Sequence, residues 1–207
     1  MRAGRRGVRR RGLEHGVTAA AVAVTVESEI DAETAERFYA LYRETFGELE
    51  TRAVARQLLH REEFMEEMHD PRVDKYVAWD DAGAPIGLST LTHHLETVPW
   101  ISPAYFHHHF PDHAARDAIY YIGFTLVRRE HRQSHVFQAM IHAMGCVLAE
   151  ARAVVGWDIC AHNDDGFAFG EHAARVLGRT GEVTVEQIDR QTYYLGTYHP
   201  AGPAEAP

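Results

Sequence analysis

Four side chains in this chain could carry proton-transfer chemistry. His94 and Glu96 end one apolar run, Tyr121 opens another, and Asp158 interrupts a third. Histidine titrates near neutral pH without help, so a histidine beside a carboxylate suits general acid–base work. Neighbouring residues on a strand face opposite sides, so only one of His93 and His94 can point at a common site, and only one of Tyr120 and Tyr121. Tyr121 would donate a proton, and Asp158 is expected to be buried in an apolar strand. Each also reads as an ordinary hydrogen-bonded core residue.

Other reactive types are less organised. The stretch HHHFPDH places His107, His108, His109 and His113 together, but Pro111 breaks the helix that would align them. No spacing matches a closed zinc set, so no metal is expected. Cys146 and Cys160 read as small buried hydrophobes in a reducing compartment.

The elements that must position these residues follow from periodicity. VTVESEI (24–30) alternates as a strand, and Asp31 can cap a helix carrying Phe38, Leu41, Tyr42, Phe46 and Leu49 on one face. A second helix is expected from Thr51 to Met68, with Val54, Leu58, Met65 and Met68 inward. Residues 75–96 read as a hairpin turning at Asp81-Ala82-Gly83. An insertion rich in proline, histidine and aromatics follows at 97–118, suited to a lid that selects substrate. The apolar run IYYIGFTLV (119–127) is a central strand. A helix from Ser134 to Ala151 carries Val136, Phe137, Met140, Ile141, Met144, Val147 and Leu148 inward. A strand at 153–161, a helix near 165–177 and a closing hairpin (EVTVEQI, TYYLGTY) complete the order.

The strand, loop and helix of YYIGFTLVRREHRQSHVFQAMIHAM (121–145), within this order of elements, resemble the GNAT superfamily of N-acyltransferases over residues 23–198. The resemblance implies an α/β (α+β) fold: a mixed, mostly antiparallel sheet with a splayed central parallel pair and helices on both faces. It implies that acetyl-CoA, or another acyl-CoA, serves as acyl donor. Its pyrophosphate would meet amides at the helix N-terminus, with Leu126, Val127, Arg132, Gln133, Ser134, His135, Val136, Phe137 and Asn163 around the cofactor. The family's loop glycines are His135 and Phe137 here. Helical spacing turns Phe137 inward and His135 outward, so amide donors persist while approach to them narrows. The positions of the family's acidic base and tyrosine acid are Gly123 and Ala174.

The resemblance implies acyl transfer, most simply of acetyl, to the amine of a small molecule by direct attack on the thioester. The alternatives are another donor such as an acyl carrier protein, a different reaction in the same crevice, or a non-catalytic binding module.

The charge is consistent with this. Six arginines in the first twelve residues leave about -15 of the net -9 to the remainder, and an acidic body argues against nucleic acid as ligand. Residues 1–22 read as a disordered basic extension or as translated sequence upstream of the true start, and 199–207 as a disordered tail. No apolar run is long enough for a membrane span. One arginine-rich, alanine-rich domain in the cytoplasm of a bacterium is expected, with homodimerisation through the last hairpin.

Overall fold

The computed structural model describes residues 22–131, 135–167 and 169–198. Strands β1 (Ala23–Glu27), β2 (Asp74–Trp79), β3 (Pro85–Thr92), β4 (Ile119–Val127) and β5 (Val154–Gly156) form one sheet in chain order. The first four pair antiparallel, and β4–β5 alone is parallel. The β2–β3 turn closes as expected, with Gly83 at φ 77° and Asp80 Oδ1 accepting from the amides of Ala82 and Ala84.

Helices cover both faces. On one, α1 (Ala32–Phe46) and α3 (Arg61–His69) lay Phe38, Leu41, Tyr42, Phe64 and Met68 against Val77, Leu88 and Leu126. On the other lie α6 (Val136–Glu150) and α8 (Phe169–Leu177). They set Ile141, Met144, Val176 and Leu177 on Tyr76 and Leu91, and Met140 on Ala78 and Val127. Asp31 caps α1 by accepting from Glu33 and Thr34 amides.

Several expectations are corrected. The helix expected from Thr51 to Met68 is a single turn, α2 (Leu49–Arg52), followed by a loop and then α3. Tyr42 pins that loop: its hydroxyl accepts from Leu59 N at 2.9 Å and donates to Gln57 O at 3.4 Å. Val54 is consequently 77% exposed. On α6, Val147 faces outward, and Cys146 is also exposed.

The insertion contains two short helices, α4 (Pro103–His109) and α5 (Pro111–Ala114). Each proline occupies a first turn, where its missing N–H costs nothing, and Pro111 does break the helix as expected: His109 ends α4 while His113 lies on the separate α5. Phe106 buries this insertion against Ile119 and Tyr121. Arg116 ties it to the far end of α6 by donating to the carbonyls of Ala151 and Arg152.

β5 is shorter than expected. Beyond Gly156 the chain leaves the ladder and enters α7 (Ala161–Phe167). The closing hairpin does not form. Residues 182–198 contain neither helix nor strand, and Tyr194, Leu195 and Tyr198 are almost wholly exposed. A three-residue β5 offers little ladder for a closing strand to join.

Candidate active site

The β4–β5 ladder runs Ile119↔Val154, Tyr120↔Val155, Tyr121↔Gly156 and then ends. Past that point the two chains diverge. A small open cleft lies between Ile122–Thr125 on one side and Trp157 and Asp158 on the other. Ile141 of α6 and Ala173 and Leu177 of α8 form its floor. Gly156 permits the tight start of this fork, because a methyl group there would meet the rings of Tyr121 and Phe106 at 3.0–3.1 Å.

β4 also carries a bulge at the fork. Ser89 pairs with Thr125 and Leu91 with Ile122, so Gly123 and Phe124 together oppose Thr90. The extra residue sends two consecutive positions to the same face. Phe124 packs against Tyr42 and Phe64 on the α1–α3 side, and Gly123 faces that side as well. A methyl group on Gly123 would lie 2.6 Å from Thr90 Oγ1 and 3.6 Å from Glu67 Oε1.

A second, smaller cleft opens there. Glu67, Val73, Thr90, Thr92, Thr97, Val98, Trp100 and Gly123 line it. Gly123 borders both clefts, one on each face of the sheet. The Glu67 carboxyl is hydrogen-bonded to Thr90, whose Oγ1 also accepts from Phe124 N at 3.4 Å. Burial pushes Glu67 up to about 7, against the lowering effects of Thr90 and of Lys75. Lys75, itself buried, donates from Nζ to the carbonyls of Ser28 and Asp70, and burial lowers it to about 8.

Sequence reasoning missed Glu67, although a signal existed. It falls three residues after Phe64 and one before Met68, on the face of α3 that those two residues bury.

The predicted residues divide into those at the fork and those away from it. Tyr121 and Asp158 come together, the Tyr121 hydroxyl donating to Asp158 Oδ1 at 2.6 Å. Trp100 Nε1 donates to the same oxygen at 2.9 Å. Asp158 is exposed rather than buried, because β5 has ended two residues earlier. Burial, with the negative Asp158 beside it, raises Tyr121 well above the usual phenol range, so the residue stays protonated. His94 and Glu96 lie past the end of β3, His94 just before and Glu96 within a 3₁₀ turn at Leu95–Thr97. Glu96 Oε1 is 3.5 Å from both His94 Nδ1 and Arg72 Nη1. Neither His94 nor Glu96 lines either cleft.

Of the expected cofactor residues, Leu126 and Val127 are buried on opposite faces of β4, and no strand of the described residues pairs with that edge of β4 beyond Tyr121. Val136 is fully buried, and Phe137 turns inward, its ring 5.5 Å from that of His172. His135 is exposed, with Nδ1 3.2 Å from Gln138 Oε1. Asn163, on α7, is partly buried, and its backbone N–H donates to Cys160 O. Arg132, Gln133 and Ser134 lie outside the described residues. Among the described residues, no three His, Cys, Asp or Glu side chains are placed to hold a metal ion, and no helix is long and apolar enough to cross a membrane.

No protein-family model matches the chain, and no curated protein matches its sequence. Solved structures do resemble it. A mutant form of the BH1408 protein of Bacillus halodurans superposes with a TM-score of 0.52 at 15% identity, over 85% of this chain and 99% of that one. The aminoglycoside 6'-N-acetyltransferase AAC(6')-Ih of Acinetobacter baumannii gives 0.49 at 11%, over 84% and 100%. An aminoglycoside acetyltransferase from an uncultured soil metagenomic sample, in complex with sisomicin, gives 0.46 at 17%, over 84% and 97%. At 15% identity the likeness to the BH1408 protein is one of fold alone: a mixed sheet, mostly antiparallel, with a parallel pair that splays open between helical layers.

Proposed function

We propose that the protein is an acyl-CoA-dependent N-acyltransferase, moving an acetyl group from acetyl-CoA to the amine of a small molecule. The open fork between β4 and β5 is the observation that carries this reading. A pantetheine arm laid in it would run beside the unpaired edge of β4, where strand amides can hydrogen-bond its amides and polarise the thioester carbonyl. Phe137, the side chain best placed to obstruct the cofactor, packs into the core and does not line the cleft. With donor and amine held in line, direct attack draws most of its rate from proximity.

An acyl-carrier-protein donor is the second reading, favoured by His135 and Phe137 standing where free phosphate approach would want glycine. Calorimetry separates the two. Acetyl-CoA should bind with micromolar affinity; failure of acetyl-CoA and longer acyl-CoAs to bind, with binding of an acyl-phosphopantetheine carrier, would reverse the order.

Two lesser expectations belong to this reading. The free Cys146 and Cys160 fit the reducing cytoplasm. The exposed segment around Tyr194 and Leu195 fits strand pairing with a second copy of the chain.

A further inference from the structure

β3 is buried along its whole length, yet two hydroxyl residues stand in its middle, Ser89 and Thr90, at 0% and 1% exposure. Such a strand ordinarily buries apolar side chains there, and a hydroxyl without a partner would cost stability. Their position matches the break in the β3–β4 ladder, where Thr90 alone opposes Gly123 and Phe124.

A bulge leaves backbone groups outside the regular ladder, and both hydroxyls go to one residue of it. Thr90 Oγ1 accepts from Phe124 N at 3.4 Å on the α1–α3 face, while its own proton goes to the Glu67 carboxylate. Ser89 Oγ, on the α6 face beside Met144, donates to Phe124 O at 3.0 Å. That uses its single proton, so Ser89 accepts from Thr125 Oγ1, 2.6 Å away. Side chains of β3 thus grip the N–H and the carbonyl of Phe124 from opposite faces of the sheet. Gly123 leaves room for this grip, because a Cβ there would meet Thr90 Oγ1 at 2.6 Å.

The gripped residue lies in the stretch Ile122–Thr125 that walls the fork. No strand of the described residues pairs with this edge beyond Tyr121, so no second ladder holds it in place. A bulge that slipped by one residue would exchange the faces of its neighbours. The Phe124 ring would then leave Tyr42 and Phe64 for the fork, and Thr125 would leave the fork. With the polar groups of Phe124 drawn to β3, alternation along the strand turns those of Thr125 to the fork.

We propose, on the acyl-transfer reading, that Ser89 and Thr90 are positioning residues, whose hydroxyls lock the β4 bulge so that the free edge of the strand meets the thioester carbonyl of an acyl-pantetheine donor in one fixed alignment. Neither hydroxyl touches the donor. Glu67 acts through Thr90, taking its proton and leaving its lone pairs to Phe124 N. The donor chemistry is that of the pantetheine arm, which acetyl-CoA and an acylated carrier protein share.

The test needs no acceptor amine. Acetyl-CoA labelled with ¹³C at the acetyl carbonyl is titrated into the full chain, with affinity read by calorimetry and the carbonyl by NMR. The wild type should move that resonance downfield on binding, as hydrogen bonding polarises the carbonyl. Ser89→Ala and Thr90→Val should return it most of the way to its free position and weaken binding about fivefold, while Thr90→Ser keeps the wild-type values. Thermal melts establish that each variant is folded at the temperature used; should Thr90→Val not fold, Ser89→Ala carries the test. A merely structural role would lower the melting temperature and leave the bound carbonyl resonance unmoved. That result, in variants that bind as the wild type does, would overturn the proposal, as would a wild-type carbonyl that does not shift on binding. An acetylated carrier protein with the same label is read in parallel, and a shift seen with it alone assigns the same role to that donor. Binding of neither donor by the wild type overturns the transferase reading itself, and the role with it.

Discussion

The Tyr121 hydroxyl lies 2.6 Å from Asp158 Oδ1, which joins β4 to the chain that has just left β5. Trp100 reaches the same oxygen, so one carboxylate holds the fork and the insertion together. We predict that Asp158→Ala destabilises the protein by about 1–3 kcal/mol, because it strands the buried Tyr121 hydroxyl. Tyr121→Phe removes donor and need together and should cost about 1 kcal/mol, with kcat falling less than tenfold. Urea denaturation and steady-state rates check both. A loss of a hundredfold or more in kcat for Tyr121→Phe would instead make that hydroxyl a proton donor in the reaction.

Glu67 gives a pH-dependent stability with a definite sign. Its pKa rises on folding from about 4.5 to about 7, so the folded state holds the proton more tightly than the unfolded chain. The associated stability is complete below pH ~4.5, declines as pH rises, and is gone above ~7. Glu67→Gln should therefore match the wild type in acid and exceed it above pH 7. The gain is on the order of 2 kcal/mol, the full shift being discounted for the partly exposed side chain. Thermal melts from pH 4 to 8 check this; a constant difference across that range would contradict it.

Gly123 accepts no side chain without movement. In Gly123→Ala the new methyl would press on Thr90 Oγ1 at 2.6 Å, the group that bonds Glu67. We expect a loss of about 1–3 kcal/mol from this overpacking. Adding Thr90→Ala should restore part of that stability in urea denaturation. A double variant no more stable than Gly123→Ala would contradict the overpacking account.

Much of this architecture is legible in the sequence because local pattern and tertiary fate agree. The apolar run at 119–127 became β4, flanked by β3 and the short β5, and the stripe from Val136 to Leu148 became the helix beneath the fork. Agreement failed where tertiary partners decide. Alternation at 182–198 shows that a strand could form there, not that an edge is waiting for it. Asp158 looked buried because its neighbours are apolar, yet the ladder stops at Gly156. Glu67 was hidden for a different reason. An acid on a charged helix reads as solvated until its phase is set against Phe64 and Met68, and its meaning depends on a glycine 56 positions away on β4.

Phe137 replaces a glycine of the resembled loop but points into the core, between Met140 and His172. Phe137→Ala should destabilise by about 2–4 kcal/mol while leaving acetyl-CoA affinity within threefold. A tenfold gain in affinity would show that the ring obstructs the cofactor after all. Calorimetry and thermal melts on the same samples report both quantities.

The exposed Tyr194, Leu195 and Tyr198 should make the protein self-associate. Light scattering during size-exclusion chromatography is expected to give the mass of a dimer, and Leu195→Asp the mass of a monomer. A wild-type monomer at 100 µM would remove the pairing expectation.

The fork itself is tested most directly by a crystal structure determined with acetyl-CoA. The account predicts density for the pantetheine arm between Ile122–Thr125 and Trp157–Asp158, with the thioester carbonyl beside Gly123. Acetyl-CoA bound elsewhere on the protein, with that cleft closed, would contradict it.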